Sequence, residues 1–419
     1  MRRRTVPQPL RAVPADGVEF LKCSHIAFSS FDHGDSSESD TPFYANQRIA
    51  LMASTLFRSS RKKMKGRSMP VSEERLMEFV GQAVGDLGAA LTATLVNVGD
   101  QLGLYKAMAG AGPLTPAELA AQTKTTERYV AEWLAAQAAS GYISYEGDGR
   151  YRLPDEQAEA LANDDSPACV LGGFQAMTAA MRAEPKIIEA FRSGGGVGWH
   201  EHDPGLFEGT ERFFRPGYMA NLVSSWIPAL DGVEVKLSTG ARVADVGCGH
   251  GASTVIMANA FPNSSVVGYD YHQASVDAAR QRAIAAGVSD RATFEQATAK
   301  DYSGRGFDLI AFFDCLHDMG DPVGALAHAR QALAPDGTVM LVEPFANDDV
   351  ADNMNPFGRV FYSASTLVCT PASLSQEVGR GLGAQAGEAR LREVAAEAGL
   401  TQFRRATETP FNLILEARP

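Results

Sequence analysis

The sequence predicts an α/β protein in which a doubly wound, mainly parallel sheet follows a mainly helical N-terminal domain. Strand and helix patterns alternate from residue 242 onward, as in sheets with helices on both faces. Residues 80–108 carry apolar side chains at helical spacing. The 419 residues give room for two or three domains of ~100–200 residues each.

The first 68 residues differ in composition from the rest of the chain. They hold 12 lysine and arginine and 6 acidic residues, whereas the whole chain has a formal charge of −12. They show no helical or strand period, which predicts a disordered extension over residues 1–68. A transit peptide opening on Arg2, Arg3 and Arg4 fits the acidic residues of this stretch poorly. We place the helical domain at residues 69–170, a helical connector at 171–238 and the sheet domain at 239–419.

Composition favours a soluble, cytoplasmic protein without a membrane partner. No stretch approaches the ~18 consecutive apolar residues of a membrane-spanning helix. His200 and His202 form an H-x-H pair on a glycine-rich loop, but no further ligand is in view, so we expect a solvated turn and no metal. The cysteines have no close pair, which fits reduced thiols; they are Cys23, Cys169, Cys248, Cys315 and Cys369.

Helix, turn, helix and hairpin follow one another in the helical domain. Thr115 can cap a helix that begins with proline and has glutamate three residues after the cap. A second helix is predicted over Glu127–Ser140, and the glycines at 147 and 149 can turn a two-stranded hairpin. Before them, Val80–Met108 is expected to form one or two buried helices. This order predicts a winged helix.

The charge of this winged helix opposes binding to nucleic acid. Residues 71–165 hold 6 basic and 15 acidic residues, and the second helix offers Arg128 against Glu127 and Glu132. Contact with the negatively charged phosphates requires a net positive charge, whereas the charge of this domain is negative. We therefore interpret the domain as a packing module whose apolar helices, between Val80 and Leu104, form the contact of a homodimer.

Two strand ends in the sheet domain predict an adenosine-type ligand. In doubly wound sheets, ligands bind beyond the carboxyl ends of the strands. The first strand is followed by Asp245-Val246-Gly247-Cys248-Gly249-His250-Gly251, where glycines let backbone amides approach a ligand. After the second strand, Asp270 stands where a carboxylate accepts hydrogen bonds from ribose hydroxyls. The spacing does not formally exclude a nicotinamide cofactor.

A third strand end makes a family resemblance specific. It reads Phe312-Phe313-Asp314-Cys315-Leu316-His317-Asp318, and Leu333-Ala334-Pro335-Asp336-Gly337-Thr338 follows before the fifth strand. With the glycine turn and Asp270, these motifs resemble those of class I S-adenosylmethionine-dependent methyltransferases, which have a Rossmann-like sheet. Together with the winged helix, the chain is similar to two-domain small-molecule O-methyltransferases.

The resemblance implies a set of residues that bind S-adenosylmethionine. The glycine turn would hold the methionine part, Asp270 the ribose, Tyr271 the adenine face, and Asp314 the amino group. Alternatively, Asp245 and Asp314 cap turns or pair with buried amides. The adenine edge would meet Ala299 and Lys300, or else Asp301. The implied binding set is Asp245, Gly247, Gly249, Gly251, Asp270, Tyr271, Ala299, Lys300 and Asp314.

His317 is similar to the catalytic histidine of small-molecule O-methyltransferases. In that family an aromatic residue follows the His-Asp pair, whereas this chain has Met319. An imidazole with a pKa of about 6.5 suits a general base for a phenol-like hydroxyl, although a structural histidine is the alternative. The resemblance implies methyl transfer to a small-molecule hydroxyl. Transfer to nitrogen or carbon by proximity alone, or a non-catalytic scaffold or regulator, remain open.

Two further segments are expected to shape the acceptor pocket. Aromatic side chains within residues 194–226, among them Phe214, Tyr218 and Trp226, either wall the pocket or belong to the core. Residues 347–385 are long enough to form a lid or lining. The chemical identity of the acceptor does not follow from either segment.

Overall fold

A computed structural model describes residues 71–419. The extension predicted at residues 1–68 lies outside these residues. Residues 82–419 form one compact unit that contains the winged helix, the connector and the sheet. The predicted α/β class, with a helical N-terminal part before a seven-stranded sheet, is confirmed.

The winged helix has the predicted order of elements. Thr115 caps the first helix, because its hydroxyl accepts a hydrogen bond from the amide of Glu118, whose carboxylate accepts one from the Thr115 amide at 2.8 Å. The hairpin pairs Tyr145 with Tyr151. The elements are α1 (Glu73–Gln101), α2 (Leu104–Met108), α3 (Pro116–Thr123), α4 (Glu127–Ala139), β1 (Ser144–Gly147), β2 (Arg150–Arg152) and α5 (Asp155–Leu161).

Helix α1 is largely exposed, although burial was expected. Val96 lies in the core, but Leu87 and Leu91 are 67% and 72% exposed, so the expected burial is wrong for these two side chains within a single chain. By length and composition alone, α1 also qualifies as a membrane-spanning helix, with a window of mean hydropathy 1.4 that is 17% buried. One such helix is weak evidence for a membrane.

The connector consists of helices, and the helices Leu171–Met181 and Gly205–Asn221 pack closely against each other. Glycines permit this approach, since a Cβ atom on Gly209 would lie 2.4 Å from the backbone nitrogen of Ala176. A π-helical turn, Leu222–Trp226, continues the longest of the helices. The elements are α6 (Leu171–Met181), α7 (Glu184–Ser193), α8 (Gly205–Asn221) and α9 (Val233–Thr239).

The sheet has the strand order β5-β4-β3-β6-β7-β9-β8. Strands β3 to β7 are parallel, and β9 runs antiparallel to both β7 and β8. The elements are β3 (Arg242–Val246), α10 (Ala252–Ala260), β4 (Ser265–Asp270), α11 (Gln273–Ala285), β5 (Ala292–Gln296), β6 (Phe307–Phe313), α12 (Pro322–Ala332), β7 (Leu333–Pro344), α13 (Pro356–Ala364), α14 (Thr370–Leu374), α15 (Gly387–Glu397), β8 (Gln402–Glu408) and β9 (Asn412–Arg418).

Apolar residues fill both faces of this sheet. Val243 and Leu309 belong to a buried cluster on one face, whereas their chain neighbours Ala244 and Ile310 belong to a cluster on the other. Burial on both faces is typical of parallel sheets and explains the continuous apolar runs of these strands. Because strand order reverses between β3 and β6, their carboxyl ends flank a switch point, where such folds bind ligands.

Candidate active site

A cavity of about 410 Å³ lies at the carboxyl ends of β3, β4 and β6. Cavities of this size hold small ligands and cofactors. The glycine turn, the ends of β4 and β6, helix α8 and the residues after α14 form its walls. Three of the strand ends singled out in the sequence therefore meet at one cavity.

The glycine turn brings backbone against the cavity. Gly247 has a φ of +76°, and a Cβ atom there would lie 2.7 Å from the sulfur of Cys315. Gly247 and Gly249 line the cavity, together with Cys248 and His250, for which the sequence predicts no role of their own. Gly251 does not line it, because it packs against Phe294 at the start of α10.

Asp270 at the end of β4 lies in the cavity wall. Its carboxylate accepts hydrogen bonds from the amides of Gly249 and His272, each at 2.9 Å, which ties the glycine turn to β4. Burial raises the pKa of Asp270 above its usual value. Tyr271 lines the cavity as well, and its ring lies nearly perpendicular to that of His200, with 6.2 Å between the centroids.

Asp245 is buried beneath the turn and is not one of the residues that line the cavity. Its Oδ2 atom accepts hydrogen bonds from the hydroxyls of Ser253, at 2.6 Å, and Thr254, at 2.5 Å. Oδ1 has no partner within residues 71–419, and burial raises the pKa of this carboxyl to about 6. These hydrogen bonds hold the first turn of α10. They match the alternative in which Asp245 caps a turn and does not bind the ligand.

Asp314, directly after β6, lines the cavity with a φ of +50°. Its Oδ2 accepts a hydrogen bond from the hydroxyl of Tyr218 at 2.7 Å, and its Oδ1 accepts one from the side-chain amide of Asn412 at 2.9 Å. Burial raises the pKa of Asp314 to about 7. No sequence pattern points to Asn412, because only the pairing of β9 with β7 brings it here.

The residues after β5 divide between the cavity and the surface. Ala299 lines the cavity, as does Thr298. The ammonium group of Lys300 does not reach it, since it pairs with the carboxylates of Asp321 at 3.2 Å and Glu377 at 3.0 Å. The alternative contact, Asp301, also lies outside the wall and accepts a hydrogen bond from the Thr298 amide at 2.9 Å.

His317 lies buried in a short 3-10 turn, Leu316–Asp318. Its Nδ1 atom is 2.5 Å from Glu343 Oε2, and its Nε2 atom is 3.1 Å from Asp318 Oδ1. Burial disfavours the imidazolium, but the carboxylates of Asp318 and Glu343 outweigh it and raise the pKa of His317 well above its usual value. Asp318 and Met319 line the cavity, whereas His317 stands behind them.

The two segments expected to shape a pocket both contribute to the wall. Phe214 and Tyr218 line the cavity, while Trp226 is core. The predicted solvated turn at His202 is wrong: the ring is buried, and neither nitrogen has a hydrogen-bond partner among the described residues. The other contributions from these segments are Gly198, Trp199, His200, Phe207, Thr210, Glu211, Ala372, Ser375 and Gln376.

Two family profiles match this chain. The one described as a methyltransferase domain matches residues 237–394. The one described as an Rv2258c-like winged HTH domain matches residues 89–163. Their positions agree with the sheet and the winged helix described above.

Similar proteins include methyltransferases for small molecules. The 27-O-demethylrifamycin SV methyltransferase of Amycolatopsis mediterranei is 34% identical over 109 residues, which are 26% of this chain and 40% of that enzyme. The chain thus spans less than half the length of this relative.

Solved structures share the fold over most of the chain. The mitomycin 7-O-methyltransferase MmcR superposes with a TM-score of 0.62 and 20% identity, covering 83% of this chain and all of that one. Human N-acetylserotonin methyltransferase, solved in complex with SAM, superposes with a TM-score of 0.61 and 17% identity, covering 84% of this chain and 99% of that one. At sequence identities this low, the superpositions show that the fold is shared.

Proposed function

We propose that this chain, a two-domain class I S-adenosylmethionine-dependent methyltransferase, transfers the methyl group of its cofactor to a hydroxyl of a small molecule. The observation that carries the proposal is the convergence of the glycine turn, Asp270 and Asp314 on one cavity. S-adenosylmethionine supplies a methyl group already activated on a sulfonium. The protein therefore has to align the reactants, exclude water and remove the hydroxyl proton.

The residues of the cavity fit this cofactor. Each oxygen of Asp270 has one backbone partner and keeps acceptor capacity for the ribose hydroxyls. Tyr271 offers an aromatic face to the adenine, and Ala299 an apolar edge. Asp314 supplies a negative charge for the amino group. The bare backbone at Gly249, where a Cβ atom would meet nothing within 4 Å, leaves room for the methionine part.

His317 is the proposed general base. Glu343 holds its Nδ1 atom and favours the protonated ring, as the acid of a catalytic triad does. The Nε2 atom faces Asp318, whose side chain lies in the cavity wall. For proton transfer, Nε2 must exchange Asp318 for the acceptor hydroxyl, a rearrangement that binding of substrate commonly brings about.

We also propose a cytoplasmic homodimer joined through the helical domain, with no affinity for nucleic acid. Val84, Leu91 and Val98 recur every seven residues on α1 and are exposed, so a second copy of the helix can cover this face. The free state of the four described cysteines supports a reducing compartment.

Calorimetry followed by a methylation assay tests the proposed function. We expect S-adenosylmethionine and S-adenosylhomocysteine to bind the full-length chain with micromolar affinity, and NAD not to bind. Asp270→Asn should weaken binding, whereas Asp290→Asn, on an exposed turn, serves as the matched control. A panel of phenols should then accept labelled methyl groups, while the corresponding anilines should not. Lack of cofactor binding, or methylation of the anilines only, would contradict the proposal.

A further inference from the structure

The main chain that follows His317 is held by a segment more than fifty residues further along the chain. This segment, residues 373–380, begins at the end of α14 and is called the clasp below. It donates a hydrogen bond to each of three consecutive carbonyl groups. The pairs are Nε2 of Gln376 with the Asp318 carbonyl at 2.9 Å, the Ser373 hydroxyl with the Met319 carbonyl at 2.8 Å, and the Arg380 amide with the Gly320 carbonyl at 2.8 Å.

The contact between the turn and the clasp is close as well as polar. Oε1 of Gln376 accepts a hydrogen bond from the Gly320 amide at 3.1 Å, so one side-chain amide bonds the main chain on both sides of Met319. A Cβ atom on Gly320 would lie 2.5 Å from the Cβ atom of Gln376 and 2.6 Å from the carbonyl oxygen of Glu377. Any larger residue at position 320 would therefore force the two segments apart.

Ser373 lies at the buried centre of this contact. Its side chain is fully buried, and its hydroxyl also accepts a hydrogen bond from the Gly381 amide at 3.0 Å. The hydroxyl thus uses both its donor and its acceptor capacity, as buried hydroxyls do when they fix two pieces of main chain. Gln376 is exposed, in contrast, and lines the cavity beside Asp318 and Met319.

The chain that leads into the clasp also reaches the histidine ring. Helix α14 follows a π-helical turn, Ser365–Cys369, directly. Sγ of Cys369, which is buried, lies within 4.8 Å of a ring nitrogen of His317. One stretch of chain therefore contacts both the ring and the main chain after it.

The middle of the clasp keeps an unfavourable backbone conformation. Val378 has a φ of +73°, a left-handed value that β-branched residues rarely adopt. Ion pairs flank it, Glu377 with Lys300 at 3.0 Å and Arg380 with Glu397 at 2.6 Å. Such conformations persist where the surroundings determine the backbone, and they concentrate at functional sites.

The proposed proton transfer places a particular demand on this turn. Oδ1 of Asp318 lies 3.1 Å from Nε2 of His317 and has to give way to the acceptor hydroxyl. No hydrogen bond within the described residues holds this oxygen in place, so the carboxylate is free to turn about its own side-chain bonds. Main chain that moved with it would displace the ring, because the two residues are adjacent. A shift of about 1 Å in a reacting group can cost ~100-fold in rate.

We propose that Ser373 and Gln376 are positioning residues for proton removal by His317. They hold the carbonyl groups of Met319 and Asp318 while the Asp318 carboxylate gives way to the acceptor. Neither side chain takes up the proton, which passes from the acceptor hydroxyl to Nε2 of His317. This role rests on the function proposed above.

Hydrogen exchange tests the clasp without any methyl transfer. Gln376→Met keeps the approximate size of the side chain and removes both of its bonds to the turn, and the exposed position leaves folding intact. The buried Gly320 amide should then exchange at least about 10-fold faster than in the unchanged full-length chain. Gln402→Met, at an exposed glutamine of β8, is the matched control. Equal exchange at Gly320 in Gln376→Met and the unchanged chain would overturn the proposal.

Kinetics with a phenol that the unchanged chain methylates test the positioning role. Ser373→Ala and Gln376→Met should each lower kcat by about 10- to 100-fold and leave the affinity for S-adenosylhomocysteine within about twofold. Ser363→Ala, at an exposed serine of α13, is the control and should change neither. In a chain that already carries His317→Ala, the same two substitutions should change kcat by less than about twofold, because they act through the histidine.

The outcomes separate this role from the proposed function. Equal losses of kcat with and without His317→Ala would reveal a general structural effect and overturn the positioning role. An unaltered kcat in both clasp variants, beside an impaired His317→Ala, would overturn it as well and leave the proposed function standing. An unaltered kcat in His317→Ala would remove the base itself, and the positioning role with it.

Discussion

The hydroxyl of Tyr218 donates a hydrogen bond to Asp314 over 2.7 Å and so joins helix α8 to the end of strand β6. The two residues are 96 positions apart in the chain. Tyr218 is buried, and burial together with the Asp314 charge raises its pKa well above the usual value, so it stays a donor. The connector helix and the cofactor site are therefore coupled through one buried hydrogen bond.

Asp314→Asn should weaken the binding of S-adenosylhomocysteine. A hydrogen bond between charged groups contributes about 1.5–3 kcal/mol, which corresponds to roughly a 10- to 100-fold loss of affinity. Isothermal calorimetry at pH 8 measures the loss, with Asp290→Asn as the control. Unchanged affinity would show that Asp314 does not contact the amino group.

The same contact predicts a dependence on pH. The pKa of Asp314 is raised to about 7, so the carboxylate is largely protonated below that value and ionised above it. Because the proposed contact with the ligand's ammonium group requires the ionised form of Asp314, affinity should rise between about pH 6 and 8. Calorimetry across this range should show the rise in the unchanged protein and not in Asp314→Asn. An identical rise in both proteins would assign it to another group.

Lys300→Met should leave cofactor affinity within about twofold of the unchanged protein. Its ammonium group already pairs with Asp321 and Glu377 outside the cavity, and exposed ion pairs of this kind contribute little. Fluorescence or calorimetric titration with S-adenosylhomocysteine measures the effect beside Asp270→Asn, which should lose most affinity. A large loss in Lys300→Met would restore the contact that the family resemblance implied.

His317→Ala should lower kcat by ~10²–10⁴-fold while nearly preserving cofactor affinity, because loss of a general base affects the chemical step. Since two carboxylates raise the pKa of His317, we expect kcat/KM of the unchanged enzyme to increase with pH above neutrality. Rate measurements from pH 6 to about 10 test both statements. His328→Ala is the control, because that histidine bonds the backbone of Tyr302 away from the cavity. An unaltered kcat in His317→Ala would remove the assignment.

Leu87→Glu combined with Leu91→Glu should dissociate the proposed dimer. Both side chains are exposed in a single chain, so the substitutions place charge on the contact without disturbing the core. Light scattering after size-exclusion chromatography measures the mass, and Glu132→Gln on exposed helix α4 is the control. A monomeric unchanged protein, or a dimer that survives the double substitution, would contradict the proposal.

Much of the sheet domain could be predicted from the sequence. Strand and helix patterns alternate from residue 242 in the sequence, and the structure has the same alternation, with glycines marking the turn after β3. The methyltransferase and winged-helix matches confirm the two-domain family that these motifs indicated. Local patterns suffice here because each motif stands at the end of its own strand.

The remaining parts of the site depend on tertiary contacts. Asn412 reaches Asp314 only through the pairing of β9 with β7, and Glu343 reaches His317 only because β6 and β7 are neighbours. No periodicity reports such pairings. The apolar stripe of α1 is a related case, since such a stripe predicts a contact without saying whether its partner lies in the same chain.

The π-helical turns Leu222–Trp226 and Ser365–Cys369 bear on how this architecture diverges. A π-turn holds one residue more than the α-helical turn it replaces, so the helix continues beyond it in nearly the same phase, while the side chains within the turn lie at angles that an α-helix does not give them. Loss of a single codon within 365–369 would swing the cysteine sulfur away from His317 while leaving the helix intact. Lineages with and without that codon would therefore share one scaffold and differ in the chemistry beside the cavity.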